Sequence, residues 1–299
     1  MKGLLGKVQR IYHSVVSEKI RWTVSDLVTK FKYAAITKKA ARYLLRSKDK
    51  EFQEVGRFLL QHGATMFPYD YTFKYKPEDV PVHWDEATGL HYTILNGKRL
   101  YGKRGMLPSK IKSMINSLLI EQDPLSPHLY VDEQFTFDKD SVLYDVGTAE
   151  GIFTLLNIEK VKKAYLFEVD PAWIEALQKT FEPWQDKIEI INKFVGKTDD
   201  ADHVSLDVFS LTHLLPDFIK ADIEGSEADL LLGAKKLLDQ ERPLKAAVCT
   251  YHYQDDADKL STMLTNYRFQ TAFTNGYLFG YVVPLQEPYL RKAVVRAWK

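Results

Sequence analysis

The feature that most constrains the fold is a regular alternation of short apolar runs and helical stretches after residue 140. Between most of these runs lie segments with helical character, such as 171–181 and 226–238. This is the spacing of βαβ units, which place parallel strands in one sheet with helices on its faces. The apolar runs are 142–144, 164–167, 188–191, 218–221 and 244–249.

The C-terminal stretch has a different pattern. Two apolar and aromatic runs, 267–273 and 277–283, flank the dipeptide Asn275-Gly276. Asn-Gly between two such runs is a strong signal for a tight turn between antiparallel strands. We therefore predict an α/β fold with a doubly wound, mostly parallel sheet that an antiparallel hairpin closes. This domain is expected over residues 131–299.

The region before it divides into two parts. Apolar residues recur at helical spacing between Leu4 and Ile20, a second helix start is Ser25, and further apolar positions run from Leu44 to a predicted helix end at Gly63. These patterns predict a helical region over residues 1–66.

Residues 67–130 are rich in aromatic side chains. Aromatic and polar residues alternate from Phe67 to Tyr75, which predicts a strand, and Asn96-Gly97 predicts a hairpin within 92–101. A helix is expected from Pro108 to about Ile120. The sequence thus predicts a small β region with a connecting helix.

Composition excludes several classes of protein. The chain has 299 residues and a single cysteine, Cys249, so a disulfide framework and a cysteine-rich zinc module are excluded. No uncharged apolar run approaches the ~18 residues of a membrane span. Lys7, Arg10 and His13 interrupt the stretch that a secretory signal would require. A cytoplasmic location is the expectation.

Charge is distributed unevenly along the chain. Residues 1–50 carry 13 Lys and Arg against three acids, whereas the rest carries 28 basic and 37 acidic side chains. A basic head favours an anionic partner, and we expect peripheral contact with an anionic membrane surface or packing of the head on the protein itself. The two interpretations stay open.

The first strand of the α/β domain ends in a glycine-containing loop, Asp145-Val-Gly147-Thr148-Ala-Glu-Gly151. Glycines between a strand and a helix let the backbone approach a ligand closely. The spacing differs from the G-x-G-x-x-G of dinucleotide sites. Glu168 ends the next strand, where an acidic side chain can accept hydrogen bonds from ribose hydroxyls, while Asp170 fits a helix cap before Pro171. A glycine loop beside an acidic side chain that can bind ribose, without a phosphate-binding motif, indicates S-adenosylmethionine as the ligand.

A third group of polar residues follows the strand at 218–221. Because side chains alternate along a strand, Lys220, Asp222 and Glu224 are expected on one face at its carboxyl end. A structural ion-pair network is the alternative. Ser226 and Asp229 are predicted to form a capping box for the next helix.

Together these motifs resemble the FkbM family of S-adenosylmethionine-dependent methyltransferases over roughly residues 130–299. The resemblance is carried by the glycine loop, Glu168, Ser205-Leu-Asp207, Tyr251-His252 and above all Ile219-Lys-x-Asp222-Ile-Glu224-Gly225-x-Glu227. It implies a Rossmann-like class I fold with seven strands, the last antiparallel. It also implies O-methylation of a hydroxyl in a glycan, as in polysaccharide biosynthesis, or in a related metabolite.

The resulting hypothesis assigns roles to individual residues. Asp145, Gly147, Thr148 and Gly151 form the cofactor loop, and Glu168 binds the ribose. Asp222 contacts the cofactor beside its methyl group, and Glu224 and Lys220 shape the acceptor site. His252 is the candidate general base, with an ordinary loop histidine as the equal alternative.

No metal is predicted as a cofactor. A divalent ion on Asp222 and Glu224, or on Asp255 and Asp256, is an alternative, because oxygen ligands suit magnesium. No zinc-type histidine spacing is present.

Three other functions stay open. A nucleic-acid methyltransferase fits the basic head but not the D-I-E-G motif, so nucleic acid is not the expected partner. A nicotinamide dehydrogenase shares the sheet but needs another glycine spacing. A non-catalytic adaptor would use the basic head to dock on a membrane or a glycan-assembly complex.

Overall fold

The computed structural model of the protein describes residues 34–280 and 286–299. These residues form two compact units. The first consists of the described residues up to Tyr69 and those between Phe279 and Tyr289, and the second of Asp70–Leu278 and Leu290–Lys299. The helices predicted over 4–20 and from Ser25, and residues 281–283 of the predicted C-terminal hairpin, lie outside the described residues. So does most of the basic head.

The first unit contains two helices, α1 over residues 34–44 and α2 over Lys50–His62. Asp49 caps α2 by accepting the backbone N–H of Glu51 at 2.8 Å. The predicted helix end is confirmed, because Gly63 takes a left-handed φ of 85° and donates its N–H to Leu59 O.

The second unit begins with 3₁₀ turns at Asp70–Lys74 and Pro77–Asp79 and a small antiparallel sheet. Its strands are β1 (His83–Asp85), β2 (Leu90–Leu95) and β3 (Lys98–Tyr101). The predicted hairpin is confirmed: Asn96 and Gly97, with φ of 49° and 78°, connect β2 to β3. Helix α3 (Pro108–Glu121) follows where the sequence predicts it.

The strand predicted over 67–75 is wrong. The alternation of aromatic residues falls on the first 3₁₀ turn, where Tyr71 is buried but Phe73 is exposed, so the aromatic side chains do not form one buried face. Pro68 lies within the predicted strand and Pro77 follows it, and a proline cannot donate a hydrogen bond to a neighbouring strand.

A seven-stranded sheet forms the core of the second unit and confirms the predicted α/β class. Its strands are β4 (Ser141–Val146), β5 (Val161–Phe167), β6 (Ile188–Ile191), β9 (Phe218–Ala221), β10 (Lys245–Cys249), β11 (Gln270–Phe273) and β14 (Val294–Trp298). They lie in the order β11-β14-β10-β9-β4-β5-β6, and the five strands from β10 to β6 are parallel. Short strands outside this sheet are β7 (Phe194–Val195), β8 (His203–Val204), β12 (Leu278–Phe279) and β13 (Leu290–Arg291).

The antiparallel edge differs from the prediction. Among the described residues, β11 pairs with β14 rather than with the run that begins at 277, and β14 lies between β10 and β11 and is antiparallel to both. A strand inside the sheet is covered on both faces, and Val294, Val295 and Ala297 are fully buried, which suits this position. β11 is partly exposed and occupies the edge.

Helices connect these strands. The predicted helix at 226–238 is divided in two, because Gly233 ends the first half; its backbone approaches Gly196 so closely that a Cβ would lie 1.8 Å from Gly196 O. The helices are α4 (Ile152–Asn157), α5 (Pro171–Thr180), α6 (Leu206–Phe209), α7 (Glu227–Leu232), α8 (Lys235–Asp239) and α9 (Asp256–Asn266). None of the helices that the structure describes has both the length and the apolar character needed to cross a bilayer.

Candidate functional site

A cavity of about 740 Å³ opens at the carboxyl ends of β4, β5 and β9. This edge is the usual ligand-binding position in doubly wound sheets, and the volume suits a small-molecule ligand. Predicted residues that line the cavity are Gly147, Glu168, Asp222 and Glu224. Phe194, which the sequence prediction missed, also lines it and has an exposed ring.

The loop after β4 requires glycine at two positions. Gly147 has a φ of 74°, and a Cβ there would lie 1.8 Å from the carbonyl oxygen of Asp222. Gly151 has a φ of 85° and begins α4, and a Cβ there would lie 2.7 Å from Leu177 Cδ2. Residues with side chains rarely adopt such a conformation. The loop backbone therefore lies directly against the turn that carries Asp222.

Glu168 is fixed at the cavity wall by backbone amides. Its Oε2 accepts the N–H of Ala149 at 2.8 Å, and its Oε1 accepts the N–H groups of Val169 and Asp170, each at 2.8 Å. A carboxylate has about four acceptor positions, so Oε2 can still accept one more hydrogen bond, from a ligand hydroxyl. The predicted cap is confirmed, because Asp170 accepts the N–H of Ala172 at 2.9 Å.

Three predicted site residues lie behind the loop rather than in the cavity wall. Asp145 is fully buried, and its Oδ2 accepts the Thr154 hydroxyl at 2.7 Å. Thr148 is also buried and donates its hydroxyl to Asp145 O. Lys220 Nζ lies 3.2 Å from Asp145 Oδ1 and donates to Gly147 O. Burial opposes the charge of Lys220, but Asp145 and Asp222 outweigh it and raise the lysine pKa.

The expected shared face of Lys220, Asp222 and Glu224 is wrong. Strand β9 ends at Ala221, so the alternation does not continue beyond it. The three side chains are 6%, 19% and 94% exposed, respectively. Glu224 is exposed to solvent on the turn after β9, where its φ is 55°.

Asp222 accepts hydrogen bonds from two tyrosines. Tyr130 donates to its Oδ2 at 2.9 Å and Tyr251 to its Oδ1 at 3.2 Å. His128 Nε2 is 3.6 Å from Oδ2. Burial opposes ionisation, yet His128, Lys220 and His252 hold the pKa of Asp222 below its ordinary value. Asp222 is therefore a fixed negative charge at the cavity and a poor proton acceptor.

Sequence reasoning missed Tyr130 and His128. Tyr130 lies 92 positions before Asp222, on the loop that precedes β4, so no local spacing connects the two. Burial lowers the pKa of His128 to about 4, which leaves its imidazole neutral at physiological pH. Both residues contribute to the polar cluster beneath Asp222.

His252 lies directly behind the cavity wall. Its side chain is 10% exposed; Nε2 is 3.5 Å from Asp222 Oδ1 and 3.7 Å from Glu224 Oε2, and Nδ1 is 3.1 Å from Glu227 Oε1. Burial opposes protonation, but the carboxylates, Glu227 first, raise the pKa of His252. The structure thus brings His252 and Asp222 together, as the hypothesis requires.

The residues of two polar motifs that the sequence singles out make structural contacts. The capping box of Ser226 and Asp229 is wrong: Ser226 makes no side-chain cap, and Asp229 pairs with Lys197 at 3.0 Å. Glu227 instead accepts the N–H of Ile223. In the Ser205-Leu-Asp207 motif, Ser205 caps α6 and Asp207 accepts two backbone amides at the start of α8.

Two glutamates behind the cavity wall, Glu121 and Glu150, have raised pKa values. Burial, reinforced by Asp222 and Glu150, raises the pKa of Glu121 to about 8. Burial also raises the pKa of Glu150, in the glycine loop, to about 7. Neutral carboxyl groups at these positions are consistent with the nearby fixed charge of Asp222.

Two groups of side chains among the described residues have the spacing that could hold a metal ion. His128, Asp222 and Cys249 form one, and Asp222, Glu227 and His252 form the other, with the ligand atoms of each group within 4.8 Å of one another. The sequence hypothesis paired Asp222 with Glu224, or Asp255 with Asp256, and neither pair is part of these groups. Nitrogen with oxygen or sulfur donors suits zinc or another transition metal better than magnesium.

Residues 175–271 match the family model of the methyltransferase FkbM domain. This match confirms the resemblance that the sequence motifs indicate; it begins within α5 and ends within β11. A search of curated proteins finds no significant match to the chain.

Among solved structures, the methyltransferase FkbM from Methylobacillus flagellatus KT is similar, with 19% identity and a TM-score of 0.44. The match covers 64% of this chain and only 54% of that one. The precorrin-6y C5,15-methyltransferase from Geobacter metallireducens GS-15 has 12% identity and a TM-score of 0.38, over 55% of this chain and 82% of that one. A Streptococcus mutans protein in complex with SAH has 16% identity and a TM-score of 0.36, over 62% of this chain and 97% of that one.

Proposed function

We propose that the protein is an S-adenosylmethionine-dependent O-methyltransferase that acts on a hydroxyl of a glycan or related metabolite. The observation that carries the proposal is the convergence of Gly147, Glu168 and Asp222 on one cavity at the carboxyl edge of the sheet. The FkbM domain match over residues 175–271 supports methyl transfer as the chemistry.

The residues present fit this cofactor. Glu168 offers a carboxylate oxygen to a ribose hydroxyl, and the exposed ring of Phe194 offers a surface on which an adenine can stack. Asp222 and Glu224 place negative charge at the other end of the cavity, which suits a cation and disfavours a pyrophosphate. When bound, S-adenosylmethionine supplies an electrophilic methyl group on a positively charged sulfur.

The side chains around Asp222 orient the acceptor hydroxyl and receive its proton. Tyr130 and Tyr251 fix the Asp222 carboxylate, which orients the acceptor hydroxyl by hydrogen bonding. His252 then receives the hydroxyl proton at Nε2, because Nε2 lies 3.5 Å from Asp222 Oδ1 and the low pKa of Asp222 makes it the weaker base.

The charges at this end favour a neutral acceptor. The carboxylates of Asp222 and Glu224 line it, and within the cluster Lys220 is bound to Asp145 and the glycine loop. A phosphorylated or carboxylated acceptor would meet repulsion here. An uncharged, hydroxyl-rich molecule such as a sugar fits these groups.

The test is methyl transfer from isotopically labelled S-adenosylmethionine to a panel of neutral saccharides, sugar phosphates and amines. Mass spectrometry should show one added methyl on a hydroxyl of a neutral acceptor, at an unchanged rate after chelation with EDTA. Methylation confined to amines would contradict the O-methyl assignment. A rate that EDTA abolishes and Mn²⁺ or Zn²⁺ restores would show that a metal takes part.

A further inference from the structure

Glu227 is a buried acid that the transfer reaction does not use directly. Its side chain is 1% exposed at the first position of α7, and its Oε1 accepts the N–H of Ile223 at 2.8 Å. The same oxygen lies 3.1 Å from His252 Nδ1. A buried carboxylate is costly without donors, and a carboxylate held by backbone amides cannot turn away from the imidazole.

The backbone of His252 is held independently of its ring. Arg291 Nη1 donates to the carbonyl oxygens of Tyr251 and His252 at 2.7 and 3.0 Å. Asp256 accepts the N–H of Tyr253 at 2.7 Å in the same loop. These contacts place the residue but do not choose which ring nitrogen carries a proton.

The other ring nitrogen faces the cavity wall. Among the described residues, neither ring nitrogen has an aligned hydrogen bond; the acid nearest to Nδ1 is Glu227 at 3.1 Å, and the acids nearest to Nε2 are Asp222 at 3.5 Å and Glu224 at 3.7 Å. A neutral imidazole carries its proton on one nitrogen, and the hydrogen bond at one nitrogen decides the state of the other.

We propose that Glu227 is a positioning residue that holds the proton of neutral His252 on Nδ1 and leaves the Nε2 lone pair directed toward Asp222 and the acceptor. This inference rests on the proposed function for its consequence, because Nε2 receives the hydroxyl proton there. In that step the acceptor oxygen would bond to the methyl carbon as the carbon–sulfur bond of the sulfonium breaks and S-adenosylhomocysteine leaves, while the acceptor O–H bond breaks and its proton binds Nε2 to give an imidazolium that the Glu227 charge stabilises.

The tautomer can be measured without any acceptor. Long-range ¹H–¹⁵N spectra of the full chain with ¹⁵N-labelled imidazoles, recorded from pH 5 to 10, report the proton position and pKa of each histidine. His252→Gln identifies the His252 signals. The neutral wild-type ring should carry its proton on Nδ1. A wild-type ring protonated on Nε2 would overturn the proposal, and this result needs no variant at Glu227.

Two variants separate orientation from charge. Glu227→Gln retains an acceptor oxygen and removes the charge, so it should keep the Nδ1–H tautomer and lower the His252 pKa. Glu227→Leu removes both and should shift the ring toward the Nε2–H tautomer. The groups that also act on this pKa are Asp222, Glu224, His128 and Asp256, and they remain in place.

Glu189→Gln is the matched control. It makes the same acid-to-amide change beside His213, where Glu189 Oε1 lies 3.6 Å from Nε2, and it should leave His252 unchanged. An unchanged His252 tautomer and pKa in a folded Glu227→Leu protein would contradict the proposal.

Once an acceptor is identified, kinetics add a second readout. Glu227→Gln should lower kcat by ~10-fold or more, move the acid limb of the kcat profile to lower pH and leave KM for S-adenosylmethionine within about twofold. Equal loss at every pH, without movement of the limb, would indicate a merely structural role. If no acceptor is methylated but the tautomers behave as stated, the proposed function fails and the positioning by Glu227 stands.

Discussion

Lys220 Nζ lies 3.2 Å from Asp145 Oδ1, and the two side chains are 6% and 1% exposed. Their α-carbons are paired across β9 and β4, and the same Nζ donates to the carbonyl oxygen of Gly147. The ion pair therefore joins the end of one strand to the loop that the other strand enters. The contacts of Lys220 explain the shape of the cofactor loop better than they explain acceptor binding.

Removing Lys220 should destabilise the protein strongly. Lys220→Met leaves Asp145 buried without its cation, which typically costs about 3–5 kcal/mol of unfolding free energy. Lys163→Met is the control, because it breaks a partly exposed pair with Glu189 and should cost at most about 1 kcal/mol. Urea denaturation measures both. A loss below about 1 kcal/mol for Lys220→Met would show that the buried pair does not support the loop.

The close contact between Gly233 and Gly196 gives a second prediction. Gly233→Ala places a Cβ 1.8 Å from Gly196 O, although its φ of −84° would suit alanine, so the cost comes from the contact alone. The expected loss of unfolding free energy is about 1–3 kcal/mol. Gly196→Ala meets no atom within 4 Å and should be tolerated. Similar melting temperatures for the two variants would contradict this account.

Much of the fold could be predicted because its signals are local. The five parallel strands and the Asn96-Gly97 hairpin follow from apolar runs and turn residues a few positions apart. The pairing of β11 with β14 could not be predicted this way, since the partner lies more than twenty residues along the chain and Asn275-Gly276 suggested a nearer one. The proximity of Gly233 and Gly196 likewise depends on packing between distant segments.

The candidate site likewise has residues whose position could be predicted from the sequence and residues whose position could not. Glu168 and Gly147 lie at strand ends, where the topology of a doubly wound sheet places ligands, so their position at the cavity could be predicted. The prediction that Lys220 and Glu224 share one face is wrong, because β9 ends before Asp222. Tyr130 gave no signal, because a buried tyrosine on an irregular loop resembles any core aromatic in sequence.

Glu150 predicts a pH dependence of stability. Burial raises its pKa from 4.5 to about 7, so its contribution to folding is complete below pH 4.5 and is lost as the pH rises toward and through 7. Glu150→Gln has no charge to bury. Its free energy of unfolding should equal that of the wild type near pH 4.5 and exceed it at pH 8 by up to about 3 kcal/mol. Chemical denaturation at the two pH values measures this difference, and a constant difference would refute the assignment.

His252 predicts a separation of binding from turnover. His252→Ala removes the proposed proton acceptor behind Asp222 and should lower kcat by ~10²-fold or more, with S-adenosylmethionine affinity within about twofold of the wild type. His203→Ala removes a histidine from the opposite part of the cavity, near Phe194, and should retain kcat. Unchanged turnover in His252→Ala would exclude the base role.

The central claim is that the cavity at Gly147, Glu168 and Asp222 holds S-adenosylmethionine. Calorimetric titration of S-adenosylmethionine and S-adenosylhomocysteine into the purified wild type, Glu168→Ala and the surface control Glu182→Ala tests it most directly. The wild type and the control should bind both compounds, and Glu168→Ala should bind them at least ~10-fold more weakly, as expected for a lost hydrogen bond to a charged group. No binding to the wild type, or equal affinity in Glu168→Ala, would contradict the account.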